Sequence, residues 1–218
     1  MRAIVILGAT SDIARATALA FGQAGWRPIL AGRDLAAVER VASDLSVRLN
    51  RPVAALRFDA ERPEEHAEFW RSLPERPQAL FCAVGLLGDQ EAARHNPELA
   101  RRIITANFSG LVGVFGLAAY EFEARGQGLL IGVSSVAGDR GRAQNYIYGS
   151  AKAGFTALLS GLRQRLGKTG VRVVTVKPGF VDTAMTAGMT LPPALTASPG
   201  EVARAILARA EKGGEVLY

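Results

Sequence analysis

The chain has one cysteine, Cys82, and two histidines in 218 residues. One cysteine excludes an internal disulfide, and without nearby Cys or His companions it does not make a structural zinc site. It lies in the apolar run "ALFCAVG" and reads as a small buried hydrophobe. His66 and His95 fall outside every motif described below and read as surface or packing residues. Lysine is scarce too: arginine carries most of the positive charge, and Lys152 is the first lysine of the chain. The basic residues are dispersed, with no helix-turn-helix, zinc-finger or basic-arm pattern, so nucleic acid is not an expected partner. A formal charge of +6 suits anionic substrates or a phospholipid surface. Long hydrophobic runs are also missing. The longest, "LVGVFGLAA" from Leu111, falls well short of the ~20 residues of a membrane span. The N-terminal "MRAIVILGATSD" has no small-residue cleavage site behind it and reads as a strand, not a leader. The expectation is a cytoplasmic protein without a transmembrane segment. Repeats, low-complexity tracts and linkers are lacking, so residues 1–218 are expected to form a single domain.

What is present is an alternation of strand and helix from end to end. "AIVIL" (3–7), "RPILA" (27–31), "VAALRF" (53–58), "ALFCAV" (79–84), "LLIGVSS" (129–135), "VRVVTVKP" (171–178) and a short terminal "EVLY" read as strands. Helices are expected over about 12–23, from Asp34 as a cap to Leu49, after Pro63, from Asn96-Pro97 to about 125, over 146–166 and over about 201–210. Residues 184–198 read as a loop or short helix. Continuous apolar strands alternating with helices indicate a parallel sheet covered on both faces, and right-handed crossovers make it doubly wound. Ligands of such sheets bind at the carboxyl ends of the strands.

The first strand ends in "GATSDIA" (8–14). A glycine turn opening a helix aims backbone N–H groups at an anion, and Thr10 and Ser11 add hydroxyls. The stretch is neither a Walker loop nor a clean G-x-G-x-x-G. The second strand ends in "AGRD", where Arg33 can pair with a 2′-phosphate; this favours NADP(H), with NAD(H) as the alternative. In "NYIYGSAK" (145–152), Tyr148 and Lys152 are four residues apart, on one helical face, whereas Tyr146 points elsewhere. An ammonium beside a phenol favours the phenolate and makes a tunable general acid or base. Ser135, at the end of the fifth strand, precedes Tyr148 by thirteen residues.

These pieces resemble the short-chain dehydrogenase/reductase family over nearly the whole chain. The carriers are "GATSDIA", "FDA", "AVG", "ANFSG", "VSSVAG", "YGSAK" and "VKPGFVDT", in the family's order and spacing. The resemblance implies a Rossmann-type fold with seven parallel strands. It implies that Tyr148 exchanges the proton, Lys152 lowers its pKa and holds the nicotinamide ribose, Ser135 orients the substrate oxygen and Asn107 holds a water in a proton relay. Gly8, Thr10, Ser11, Asp12, Ile13, Asp59, Ala60, Ala83, Val84 and Gly85 would contact the cofactor, with Asp59 at the adenine. Pro178, Gly179, Val181 and Thr183 would shape the nicotinamide pocket. Asp12 and Ala14 stand where the family's turn carries glycines, and Cys82-Ala83-Val84-Gly85 replaces the usual Asn-Asn-Ala-Gly.

"AVGLLGD", "SSVAGDRGRAQNYIYGSAKAG" and "PGFVDTAMTA" are in addition similar to the reductase subunits of decaprenyl-phosphoryl ribose 2′-epimerases. That similarity implies a lipid-linked 2-keto pentofuranose as substrate, with a flavin oxidase as partner. It would set Met185, Met189, Leu191 and Leu195 against a lipid chain; packing onto the core is the plainer reading of those four. Other readings are a 3-oxoacyl or simple sugar reductase, a non-catalytic dinucleotide sensor, and an interaction protein. The apolar stretch "GLVGVFGLAA" wants a partner surface, which points to a homodimer or homotetramer.

Overall fold

A computed structural model describes residues 2–218. Its strands are β1 (Ala3–Leu7), β2 (Arg27–Gly32), β3 (Ala54–Arg57), β4 (Ala79–Cys82), β5 (Gly128–Val133), β6 (Val171–Val176), the two-residue β7 (Phe180–Val181) and β8 (Thr196–Ala197), and β9 (Val216–Leu217). Seven of them form one parallel sheet in the order β3-β2-β1-β4-β5-β6-β9. The helices are α1 (Asp12–Gln23), α2 (Leu35–Leu49), α3 (His66–Arg71), α4 (Gln90–His95), α5 (Pro97–Ile104), α6 (Gly110–Ala124), α7 (Tyr146–Leu166) and α8 (Pro199–Lys212).

Side chains of a strand alternate between faces, and the two cores follow that period. Ile4 and Ile6 of β1 join Phe21, Leu30, Val38, Leu45 and Ile206 under α1, α2 and α8. Val5 and Leu7 join Phe115, Phe122, Phe155 and Leu159 under α6 and α7. The expected doubly wound sheet is therefore present, with one layer of helices on each face.

Local signals set the helix starts. Ser11 accepts from the Ala14 N–H, Asp34 from the Ala37 N–H at 3.0 Å, and Asn96 from the Leu99 N–H at 3.0 Å. Ser198 and Glu201 form a reciprocal capping box at α8.

Three expectations need correction. The single helix from 97 to 125 is two helices joined by a π-helical turn, Thr105–Ser109. That wider turn frees the Ile103 carbonyl, which takes a hydrogen bond from Asn107 Nδ2 at 2.8 Å. The short α4, capped by Asp89, was not expected at all. Residues 184–198 contain two 3₁₀ turns but also β8, which pairs with β7 and fastens the segment beside the strand ends.

His66 is buried, stacked on Phe58 at 4.6 Å, with Nε2 2.9 Å from the Asp59 carbonyl oxygen. It is a packing residue, as expected, while His95 is exposed. The helical run Pro97–Ala124 is long and apolar enough to cross a membrane by length and composition, but half of it is buried inside the fold. Its apolar side covers the sheet.

Candidate active site

The strand order reverses between β1 and β4, and the chain leaves both strands at their carboxyl ends. A cleft opens there. It consists of a cavity of about 560 Å³ and a second of about 220 Å³, joined at Thr10, Ser11, Ala83, Val84 and Gly85.

The floor of the junction is the turn after β1. Gly8 has φ +76, and a Cβ there would lie 2.7 Å from the Val84 nitrogen and 2.9 Å from the Ala83 carbonyl carbon. Only glycine permits both the turn and this close backbone approach. Behind it α1 begins, and the first N–H groups of a helix lack intrahelical acceptors. Thr10, Ser11, Asp12 and Ile13 all line the larger cavity. The acid that replaces a family glycine has its own use: Asp12 Oδ2 accepts from the Ala184 N–H at 2.9 Å. It thereby ties the 184–189 segment over the cleft to the start of α1.

The smaller cavity is lined by Gly8, Gly32, Arg33, Phe58, Ala60 and Glu61, among others. Arg33 is largely exposed and pairs with Glu61 at 3.3 Å; Arg102 holds the same carboxylate at 3.0 Å. Asp59 lines neither cavity. Its Oδ1 accepts from the Glu61 N–H at 3.0 Å, so it builds the turn that presents Ala60 and Glu61.

The deep end of the larger cavity holds Ser135, Tyr148 and Lys152 together. They come from two elements whose backbones touch. A Cβ on Gly149 would meet the Ala137 oxygen at 2.7 Å, and one on Gly138 would meet the Ala153 nitrogen at 2.8 Å. This glycine pair seats α7 on the 136–138 turn and fixes Ser135 relative to Tyr148. Ser134 adds a second tie, since its hydroxyl donates to the Lys152 carbonyl at 2.9 Å. Pro178, Gly179, Val181 and Thr183 form another wall.

Asn107 is buried outside both cavities. Its Nδ2 donates to the Leu86 and Ile103 carbonyls at 2.7 and 2.8 Å, and its Oδ1 accepts from the Leu86 N–H at 3.3 Å. With its amide so occupied, Asn107 anchors the loop after β4 instead of presenting its side chain to the cleft.

The electrostatics differ from the sequence expectation. Burial pushes the Tyr148 phenol up to about 12, partly offset by a hydrogen bond with Ser135. Burial pushes the Lys152 ammonium down to about 8. Lys152 Nζ donates to the Val133 carbonyl at 3.0 Å and lies 5.7 Å from the centre of the Tyr148 ring. Loss of water therefore dominates at both residues, and each group is pushed toward its neutral form. Cys82, buried on β4, is held up at about 11 and stays a neutral thiol.

Sequence reasoning missed Glu61, Arg140, Arg142, Asn145 and Phe180, which also line the cleft. Arg140, Arg142, Asn145 and Phe180 stand inside stretches quoted above, but no spacing gives them a role; the chain paths after the strand ends bring them to the cleft.

The two joined cavities suit a dinucleotide: the start of α1 lies where they meet, Arg33 lines the smaller one, and Ser135, Tyr148 and Lys152 line the larger one. Comparison with known proteins agrees. Residues 2–192 match the short chain dehydrogenase family. An uncharacterised oxidoreductase of Streptomyces coelicolor is 36% identical over 221 residues, spanning 100% of this chain and 86% of that protein. An uncharacterised oxidoreductase of Mycobacterium tuberculosis is 35% identical over 224 residues, spanning 99% and 87%. The solved structure of a short-chain dehydrogenase from Sphingobium yanoikuyae in complex with NADPH superposes with a TM-score of 0.90 at 26% identity, covering 100% of this chain and 87% of that one. With matching motifs, fold and relatives along its whole length, the chain belongs to the short-chain dehydrogenase/reductase family of oxidoreductases.

Proposed function

We propose that the protein reduces a ketone to a secondary alcohol with NADP(H), Tyr148 supplying the proton. The observation that carries this reading is the Tyr148 phenol, one helical turn from Lys152 and lining the same cavity as Ser135. When bound, the nicotinamide supplies hydride to the carbonyl carbon. Ser135 donates a hydrogen bond to the carbonyl oxygen and holds it beside the phenol, where negative charge builds up. Tyr148 then gives its proton to that oxygen. A phenol held at about 12 is fully protonated at neutral pH, which suits the donor role needed for reduction. Lys152 provides positive charge against the resulting phenolate and is placed to hold the nicotinamide ribose.

Arg33 at the rim of the smaller cavity supports the 2′-phosphorylated cofactor, as does the NADPH complex of the Sphingobium relative. NADH is the alternative to be tested beside it. Asp59 near the adenine and Asn107 near a proton relay belong to this proposal only as supports of the cleft walls.

The reading of a polyprenyl-phosphate-linked keto-pentose draws support from the 184–198 segment: Met185, Met189 and Leu195 are 43%, 48% and 71% exposed, while Leu191 is half-buried. The relatives are named only as oxidoreductases, so this finer substrate rests on the motif similarity and these exposed side chains, and the flavin oxidase on the motif similarity alone. Exposed Val112 and Tyr120 on α6 support self-association through that helix.

The test is direct. Nicotinamide fluorescence should report NADPH binding, and NADH binding more weakly. Tyr148→Phe should keep NADPH binding and lose ketone turnover by at least about a thousandfold. Normal turnover by that variant would remove Tyr148 as the donor.

A further inference from the structure

We propose that Arg140 and Arg142 form a subsite for an anionic group on the substrate, so that the preferred ketones carry a carboxylate or phosphate. This deepens the ketone reductase reading and rests on it. Both arginines line the larger cavity on the segment between β5 and α7, the same segment that carries Ser135 at one end and leads into Tyr148 at the other. Among the described residues neither side chain has an ion-pair or hydrogen-bond partner. Arg33, Arg57, Arg62, Arg94, Arg101 and Arg102 are paired with carboxylates, and Arg15, Arg40 and Arg172, which like Arg140 and Arg142 show no side-chain partner among the described residues, line neither cavity of the cleft.

The acids nearest in the chain and on the cavity wall have other partners. Asp139, next in the chain, accepts from Lys177 Nζ at 2.6 Å. Asp12, the one acidic residue lining this cavity, accepts from the Ala184 N–H. The remaining charged lining residue is Lys152, so the cavity is cationic on balance. Both arginines are exposed on the cavity side of this segment, and an anion bound there would receive charge-assisted, bidentate hydrogen bonds from a guanidinium. Asn145, in the same stretch, has a buried Oδ1 without a partner among the described residues, which suits a hydroxyl donor on the ligand. Phe180, Met185 and Met189 supply apolar walls for the rest of the molecule. The substrate class is then an amphipathic ketone: an apolar body and an acidic group, with the carbonyl between them at Ser135 and Tyr148.

The experiment uses protein saturated with NADP+, which cannot reduce a ketone. Aryl keto acids of three chain lengths, their methyl esters, and phenacyl phosphate are titrated by calorimetry. At the best length the acid should bind at least tenfold more tightly than its ester, and the phosphate arm shows which anion is preferred. Arg140→Ala/Arg142→Ala should bring acid and ester within twofold of each other. Arg140→Lys/Arg142→Lys should keep part of the preference, because the charge remains. Equal affinity of acid and ester at every length, with phenacyl phosphate no tighter, would overturn the proposal. So would a double alanine variant that weakens NADP+ itself as much as the acid, since the arginines would then serve the cofactor. Failure here leaves Tyr148→Phe as the separate test of the reductase reading.

Discussion

Lys152→Met should stabilise the fold at neutral pH while abolishing reduction. Lys152 is 3% exposed, and its ammonium is pushed from 10.5 down to about 8. Holding the charged form inside the protein at pH 7 therefore costs about 3 kcal/mol. Methionine fills a similar unbranched volume and removes that cost. It also leaves the Val133 carbonyl without the donor that Nζ provides at 3.0 Å, which returns about 1–2 kcal/mol. The net expectation is a gain of about 1–2 kcal/mol at pH 7. Its pH dependence is the diagnostic part. Below pH 8 the lysine is charged in both folded and unfolded chains, so the gain is constant. Between pH 8 and 10.5 the unfolded chain keeps the proton that the folded chain has lost. Wild-type stability then rises with pH by up to about 1.4 kcal/mol per unit from this group. The advantage of the variant should shrink correspondingly and be nearly gone by about pH 9.5. Urea unfolding of both proteins at pH 7.0 and 9.5 measures this difference of differences. An advantage that does not change with pH would refute the depressed ammonium, and a variant less stable at pH 7 would refute the desolvation argument.

Further outcomes concern the cofactor end and the scaffold. Arg33→Ala should weaken NADPH about tenfold or more and leave NADH nearly unchanged, as the loss of one charge-assisted contact to a phosphate requires. In the same fluorescence titration Glu61→Gln should tighten NADPH, because Arg33 loses its competing carboxylate at 3.3 Å. Asn107→Ala strands the Leu86 N–H and the Leu86 and Ile103 carbonyls, costing about 3 kcal/mol or more in urea unfolding. If Asn107 acts only through the loop, its residual activity should fall without a new pH dependence; a shifted pH–rate profile would return it to a proton relay.

The sequence by itself determined the architecture. Apolar runs at the strand period, the Asp34 helix cap, and the glycine turns at Gly8 and Gly126 are local signals, and each produced its element where expected. The Tyr148–Lys152 pair was legible for the same reason: four residues on one helix share a face whatever surrounds them. The tertiary structure decided what depends on water and on distant neighbours. Periodicity cannot say that Tyr148 and Lys152 are both desolvated, and that fact reverses the expected shift of the phenol. Nor can it say that Asn107 and Asp59 spend their side chains on loops, because their partners, Leu86 and Glu61, are chosen by backbone paths. The cationic wall at Arg140 and Arg142 emerges only when the loop after β5 folds over the cleft and Asp139 turns to Lys177. Local pattern specifies elements through short-range sterics and hydrogen bonding; burial and charge balance are sums over the whole fold, and only the assembled cleft contains them.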